Sequence, residues 1–129
     1  MNPRTHTPSG KIRARGAGIP FQGTPGKNNA ITDVEGVQVG FTTLIKGDSI
    51  RTGVTGILPR PLDKIATPVF AGCHSLNGNG ELTGTLWMEE TGRCDGPITI
   101  TNTHSCGIAR DASIKWLLEN ADELGDWSL

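Results

Sequence analysis

Glycine is the feature that most constrains how this chain can fold. It supplies 18 of the 129 residues, twice its usual share of about 7% in globular proteins. The glycines separate β-like segments and follow no fixed period, so they indicate many turns and close backbone approaches, not a collagen or a flexible linker. A chain of this length can bury roughly two thirds of its unfolded surface. We therefore expect a β-rich protein with one sizeable core.

Alternating apolar and polar residues predict the strands. The clearest alternation places Val37, Val39, Phe41, Thr43 and Ile45 on one strand face. Three further strand candidates are "GVTGILPRP" (53–61), "TPVFAGCHSL" (67–76) and "PITITN" (97–102). Prolines, which cannot donate a hydrogen bond to a β-ladder, open or close these segments.

The stretch "SLNGNGELTGTLWMEETG" (75–92) predicts a hairpin. Its two Asn-Gly pairs, residues 77–80, tolerate the positive φ that tight hairpin turns require. The returning strand would place Leu82, Gly84, Leu86 and Met88 on one face, and Thr83, Thr85, Trp87 and Glu89 on the other. Trp87 and Glu89 would then share a face, and Glu90 would point away from it.

The end of the chain predicts one long amphipathic helix. In "THSCGIARDASIKWLLENADELG" (103–125), helical spacing relates Ile108, Ala112, Lys115, Leu118, Ala121 and Leu124. Ser105 is a candidate N-cap, and Gly125 is the expected end of the helix. Trp127 and Leu129 then alternate with polar residues like the opening of another strand, so we expect this chain to be the front part of a longer protein.

Composition argues against several classes of protein. A formal net charge of −1 and a pI of about 6.3 give no electrostatic reason to expect a nucleic acid or a membrane as partner. No apolar run approaches the roughly 18 residues of a membrane helix. The N-terminus lacks the apolar centre of a signal peptide. Three cysteines without a CxxC pair argue against a disulfide framework. We expect a cytoplasmic protein with reduced thiols.

The first 18 residues differ from the rest of the chain. They carry Arg4, Lys11, Arg13 and Arg15 among Gly, Pro and Thr, with almost nothing apolar to bury. We therefore expect a flexible basic tail over residues 1–18 and part of a single domain over residues 19–129.

The histidines and cysteines suggest two other kinds of site, a thiol nucleophile and a zinc site. His104 lies two residues before Cys106, as in a thiol nucleophile with its base, and Cys73, His74 and Cys94 extend the set toward a zinc site. However, the spacing matches none of the usual zinc patterns, and no Asn or Asp partner is identifiable for a Cys-His pair. We favour a buried small-residue role for Cys106, and we expect neither a metal nor another cofactor.

Several ordered blocks carry a family resemblance. "NAITDVEGVQVGFTTLI", "IRTGVTGILPRP", "VFAGCHSLNGNGELTGTLWMEETG" and "GPITITNTHSCGIARDA" resemble successive segments of the DmpA family, the L-aminopeptidase/D-esterase-amidases and β-peptidyl aminopeptidases. The likeness covers roughly residues 11–129, which makes it far more specific than one short motif.

The resemblance implies a fold and a reaction. The fold would be α/β, an αββα sandwich of stacked β-sheets covered by helices, similar in layering to N-terminal nucleophile hydrolases and incomplete in this chain. A family precursor cuts itself into an α and a β chain, and the new N-terminal serine of the β chain attacks amides or esters. That serine would lie beyond Leu129, so this chain would hold part of the α chain without the nucleophile.

The resemblance also implies a site for the substrate's ammonium group. The "WMEETG" block looks like the segment in which the family places an amine-binding glutamate, which favours Glu89, next to Trp87 in that block. Glu81, directly after the predicted turn, is the alternative carboxylate. Thr91 stands where some relatives carry a bulkier residue beside the reacting carbonyl. A carboxylate suits the task because it binds an ammonium through charge-assisted hydrogen bonds.

Two functions follow as alternatives. The first is the N-terminal part of a self-processing serine aminopeptidase or amidase that acts on small peptides, amides or esters with a free amine. Its partners would be the remaining α segment and the β chain of the same precursor, with association into a homo-oligomer of αβ pairs. The second is a noncatalytic β-rich binding module.

Overall fold

The computed structural model describes residues 2–124. Five strands and two α-helices follow one another in these residues: β1 (Gln38–Lys46), β2 (Ile50–Leu58), β3 (Val69–Phe70), α1 (Thr85–Thr91), β4 (Arg93–Cys94), β5 (Ile98–Ile100) and α2 (Cys106–Asn120). Short 3-10 turns cover Ile31–Asp33, Leu62–Lys64 and Thr103–Ser105. The contacts divide the chain between Val37 and Gln38 into two compact units, which we call the N-terminal unit and the second unit.

The N-terminal unit is organised by polar groups. An isolated β-bridge joins His6 to Ile12. Arg13 donates from Nε to the His6 carbonyl oxygen at 3.1 Å and from Nη1 to the Asn29 carbonyl oxygen at 2.9 Å. Residues 2–18 therefore have local hydrogen bonds of their own, while their mobility and the domain boundary after residue 18 stay predictions.

The Asp33 carboxylate holds the backbone near the C-terminal end of this unit. Asp33 accepts hydrogen bonds from the backbone N–H groups of Asn28 at 2.8 Å and of Ala30 at 3.2 Å. These hydrogen bonds, above all the one from Asn28, hold the pKa of Asp33 below its ordinary value of 3.8, and the charge of Arg13 lowers it further. The turn at Asn29, where φ is 49°, is thus held around one charged group.

The second unit contains the main sheet, in which β2 lies between β1 and β5 with antiparallel pairing on both sides. Residues 47–49 join β1 to β2 in a hairpin whose register pairs Gln38 with Leu58 and Lys46 with Ile50. The alternation in the sequence correctly predicted β1. The three other candidate segments contain β3, β5 and the last six residues of β2, which begins earlier, at Ile50. β3 and β4 form a separate two-stranded sheet, and β4 had no signal in the sequence.

One face of the main sheet is apolar and open. The register pairs Ile57 of β2 with Val39 on one side and Ile98 on the other. Two residues along, Thr55 of β2 pairs with Phe41 and Ile100. Phe41 is 76% exposed and Ile100 58% exposed. Much of this face is therefore exposed within the second unit.

The predicted strand over residues 82–89 is wrong, because Thr85–Thr91 forms α1. Gly84 and Gly92, with φ of 85° and 68°, bound the helix in conformations that favour glycine. A helix satisfies its own backbone groups, whereas a strand needs a neighbour. The Asn-Gly stretch forms a local turn instead of a hairpin, since the Asn77 side-chain oxygen accepts the Asn79 N–H at 2.9 Å.

The long helix is confirmed, with three corrections. It ends at Asn120, before the predicted stop at Gly125, which lies outside the described residues like Trp127 and Leu129. Ser105 is the N-cap residue, but its side chain makes no capping hydrogen bond. The predicted stripe of Ile108 and Leu118 also faces outward.

The buried side of α2 carries Leu117 instead. Leu117 is 3% exposed, and Ile65 at 2% is the other buried apolar residue among those described. The helix packs near β5. A Cβ built on Gly96, which precedes β5 with φ of 70°, would lie 3.0 Å from Leu117 Cδ2. Close approach at this glycine therefore selects which of the two apolar sides of α2 is buried.

Candidate functional site

The predicted site residues lie on α1 and in the loop before it. Trp87, Glu89 and Thr91 belong to α1, whereas Glu81 lies in a segment without regular structure. Glu81 and Glu89 are both exposed, so a ligand or another polypeptide can reach either carboxylate.

The C-terminal end of α1 is firmly capped. The Thr91 hydroxyl donates to the Trp87 carbonyl oxygen at 2.8 Å and accepts the N–H of Arg93 at 3.2 Å. The Gly92 N–H donates to the Met88 carbonyl oxygen at 2.8 Å. Thr91 therefore has a structural role at the helix end, in addition to the place near the reacting carbonyl that the resemblance implies.

A small sheet anchors this helix end. β4 begins immediately after Gly92 and pairs with β3, with Val69 opposite Cys94 and Phe70 opposite Arg93. The Ala71 N–H also donates to the Gly92 carbonyl oxygen at 2.9 Å. The pairing fixes the point at which α1 ends, and so limits where its side chains can lie.

The helix changes which predicted residues share a side. Residues two apart in an α-helix are separated by about 200° around the axis, so Trp87 and Glu89 lie on opposite sides. The shared face predicted from a strand is therefore wrong. Glu90 and Thr91, three and four residues after Trp87, lie on the side of Trp87. The side chains of Glu89 and Glu90 thus leave the short helix α1 on different sides.

The loop before α1 adds apolar side chains to this region. In the loop, Leu76 is 86% exposed and Leu82 is also strongly exposed. Leu86, in the first turn of α1, is strongly exposed as well. Sequence alternation predicts that Leu82 and Leu86 lie on one face of a strand. Their exposure leaves apolar surface next to the candidate carboxylates.

In the described part of the chain, the thiols and histidines form no metal-binding group. Cys94 is half-buried, and burial raises the pKa of its thiol, with a smaller contribution from the Asp95 carboxylate. Cys73 is exposed, whereas Cys106 is half-buried as the first residue of α2. Within residues 2–124, no group of three or more His, Cys, Asp or Glu side chains is placed to hold a metal ion.

One positioning contact had no signal in the sequence. Arg60 donates from Nη2 to the Pro68 carbonyl oxygen at 3.1 Å, directly before β3. It therefore fixes the start of the strand on which β4 and the end of α1 depend. Its donor and acceptor are eight residues apart in an irregular segment, where no periodic pattern relates them.

A groove of the second unit lies elsewhere. It has a volume of about 840 Å³, and its lining includes Ile65, Asp63, Asp122 and Glu123. None of the predicted site residues lines it. No helix within residues 2–124 has both the length and the apolar character to span a bilayer.

Comparison with curated proteins gives close relatives. The β-peptidyl aminopeptidase BapA of Sphingosinicella microcystinivorans is 53% identical over 115 residues, which cover 83% of this chain and 29% of that protein. BapA of Sphingosinicella xenopeptidilytica is 44% identical over 120 residues, covering 86% of this chain and 29% of the relative. The chain thus spans less than a third of the length of these two relatives.

Solved structures of related aminopeptidases have a similar fold. The L-aminopeptidase D-Ala-esterase/amidase of Ochrobactrum anthropi, described as a variant of the Ntn hydrolase fold, matches with a TM-score of 0.78 and 44% identity over 89% of this chain and 35% of the other. A Burkholderia sp. β-aminopeptidase matches with a TM-score of 0.77 and 50% identity over 86% of this chain and 33% of its own. The predicted α/β fold class is confirmed, as part of a DmpA-like fold.

A sequence model of a peptidase family also matches most of the chain. The model of peptidase family S58 matches residues 29–128. This range includes α1, the small sheet that anchors it and all of α2. The chain belongs to peptidase family S58, the DmpA-like peptidases.

Proposed function

We propose that this chain is the N-terminal part of a self-processing serine aminopeptidase or amidase that releases N-terminal residues from peptides, amides or esters. The observation that carries the proposal is the 53% identity with a β-peptidyl aminopeptidase over 115 residues. In this proposal the chain contributes substrate recognition, and the nucleophilic serine belongs to a segment beyond Leu129.

The recognition step is the binding of a free ammonium by a carboxylate. Such a hydrogen bond is charge-assisted, roughly twice as strong as a neutral one, and it discriminates against substrates whose amine is blocked. We assign this role to Glu89, because the "WMEETG" block resembles the segment that holds the family's amine-binding glutamate. The capped and anchored end of α1 supports the assignment, since a fixed helix holds its carboxylate in one place.

The chemical step needs no metal or other cofactor in this proposal. An N-terminal serine carries an α-amine with a pKa of about 8, and that amine or a neighbouring hydroxyl accepts the Oγ proton as the serine attacks. In this proposal self-processing must come before turnover, because cleavage of the precursor creates the α-amine. The chain by itself should therefore not hydrolyse aminoacyl p-nitroanilides above the buffer rate. Turnover that persisted in Cys106→Ala would contradict this, and turnover lost in that variant would support a thiol nucleophile.

The carboxylates are best tested in a complete enzyme. We suggest a chimaera in which residues 29–128 replace the matching segment of the 53% identical Sphingosinicella microcystinivorans relative. In it, Glu89→Gln should lower kcat/KM about 10- to 100-fold for substrates with a free amine, the cost of one charge-assisted hydrogen bond. N-acetylated substrates should stay equally poor. Self-cleavage should proceed, because no substrate amine takes part in it.

Glu81→Gln and Glu90→Gln are the matched controls, since each removes one nearby carboxylate charge and keeps the side-chain shape. Both should change kcat/KM little. A selective loss in Glu81→Gln would move the ammonium site to the loop, and one in Glu90→Gln would move it to the Trp87 side of α1. No loss in any of the three would remove the site from this segment. A chimaera that neither self-cleaves nor hydrolyses any substrate would favour the noncatalytic binding module.

A further inference from the structure

The two Asn-Gly pairs in the loop before α1 have no part in the proposed recognition step. Asn77-Gly78 and Asn79-Gly80 lie in a stretch, residues 76–84, in which every residue is exposed. Such a pair is chemically reactive, because the glycine nitrogen can attack the asparagine side-chain amide and glycine has no Cβ to hinder the approach. The sequence alone makes the two pairs equal candidates for this reaction.

The structure makes the two asparagines different. The Asn77 side-chain oxygen accepts the Asn79 N–H at 2.9 Å, and the Ser75 hydroxyl donates to the Asn77 carbonyl oxygen at 3.1 Å. Ring closure at Asn77 would turn its side-chain amide toward the nitrogen of Gly78 and would give up the first of these hydrogen bonds. Within residues 2–124, the Asn79 side chain makes no hydrogen bond. Asn79 therefore reaches the reactive geometry without losing a contact.

The backbone nitrogen that follows Asn79 is also accessible. The Gly80 N–H donates no hydrogen bond in the described part of the chain, and a Cβ built on Gly80 would meet nothing within 4 Å. Asn28 offers a comparison, because its side chain also makes no hydrogen bond within the described residues. However, the next nitrogen, that of Asn29, donates to the Gly26 carbonyl oxygen at 3.3 Å and carries a side chain beside it. Asn79 thus combines a mobile side chain with an unhindered neighbouring nitrogen.

We propose that Asn79 is a site of spontaneous deamidation, at which the backbone nitrogen of Gly80 attacks the side-chain carbon Cγ of Asn79. The new N–Cγ bond closes a succinimide ring, and the side-chain nitrogen leaves as ammonia. The Gly80 amide gives its proton to a base in solution, and the leaving nitrogen takes one up. Water then opens the ring at either carbonyl carbon, which leaves aspartate or isoaspartate. Overall, asparagine and water give an acid and ammonia, without an oxidant or a second enzyme.

The product changes the loop before α1 in two ways. Either acid adds one negative charge two residues before Glu81. Isoaspartate also directs the main chain through the side-chain carbon, which lengthens the backbone between β3 and α1 by one atom. The segment that leads into α1 therefore becomes more acidic as the protein ages.

Peptide mapping of the 129-residue chain tests the proposal without any measurement of enzymatic activity. The chain is incubated at mildly alkaline pH and digested with trypsin, and mass spectrometry follows the peptide of residues 65–93, whose fragment ions distinguish the two asparagines. Asn79 should deamidate about 2- to 10-fold faster than Asn77, the effect of one hydrogen bond. In urea that unfolds the chain, the two rates should become similar, because the hydrogen bond at Asn77 is lost.

Gly80→Ala and Gly78→Ala are matched variants, because neither glycine has a positive φ and a Cβ on either would meet nothing within 4 Å. Gly80→Ala should slow the reaction at Asn79 about tenfold, since its methyl group obstructs the attacking nitrogen. Gly78→Ala should leave the Asn79 rate within about twofold. The proposal is wrong if Asn79 does not react, if Asn77 reacts as fast in the folded chain, if the difference persists in urea, or if Gly80→Ala has no effect.

Discussion

The N-terminal unit and the second unit are stabilised in opposite ways. None of residues 2–37 is buried, and the N-terminal unit depends on hydrogen bonds that Arg13 and Asp33 make to backbone groups. The second unit has a hydrogen-bonded sheet and buries Ile65 and Leu117. Hydrogen bonds to charged groups need the right charge and geometry, whereas buried apolar side chains need the right volume. The first unit should therefore respond to protonation, and the second to changes in side-chain size.

The largest expected effect is at the buried residue of α2. Leu117→Ala should lower the free energy of unfolding by about 3 kcal/mol, because it removes buried methyl groups and leaves a cavity. Urea unfolding followed by tryptophan fluorescence measures the loss. Leu118→Ala is the matched control on the exposed side and should cost about 0.5 kcal/mol or less at a dilute concentration. Equal losses in both variants would mean that the stripe containing Leu118 also faces a core.

A smaller effect is expected from added volume in the sheet. A Cβ on Gly53 would overlap the backbone carbonyl oxygen of Thr42 on β1, so Gly53→Ala should cost about 2 kcal/mol in unfolding free energy. Gly56 lies on the same strand with nothing within 4 Å of the corresponding position. Gly56→Ala should therefore be nearly neutral in the same urea titration. Similar behaviour of the two variants would show that close packing of β1 on β2 does not limit side-chain size.

The N-terminal unit should instead respond to pH, with an effect confined to its own backbone. The pKa of Asp33 is lowered, so its stabilising effect is complete above the ordinary value of 3.8 and is lost as the pH falls through the lower pKa of the folded state. Hydrogen exchange should show that the Asn28 and Ala30 amides lose protection on acidification. In Asp33→Asn that protection should be low at every pH.

Glu35→Gln is the control for this titration, because Glu35 accepts neither of the two backbone hydrogen bonds made to Asp33. Its variant should keep the acid-dependent loss of protection. If the Asn28 and Ala30 amides keep the same protection factors above and below the transition, the hydrogen bonds to Asp33 do not stabilise the N-terminal unit.

Local patterns predicted only part of the site region. The alternation over Val39–Ile45 is long enough to distinguish a strand from a helix, and β1 is there. Leu86 and Met88 fit the same alternation, but α1 has seven residues, which is too short for periodicity to decide. The glycines at its two ends were the useful signal, since Gly84 and Gly92 both adopt a positive φ that marks the helix boundaries. Once the helix forms, Glu89 leaves the side of Trp87 and Glu90 takes its place.

The sequence by itself determined β1, the approximate places of β2, β3 and β5, the long helix, the family and the set of candidate carboxylates, because these follow from periodicity, residue type and ordered motifs. The tertiary structure decided which side of each element is buried. α2 has apolar residues on two sides, and packing near Gly96 buries Leu117 and leaves Ile108 and Leu118 exposed. Helical periodicity shows that a side is apolar, but which residues cover that side depends on residues distant in the chain.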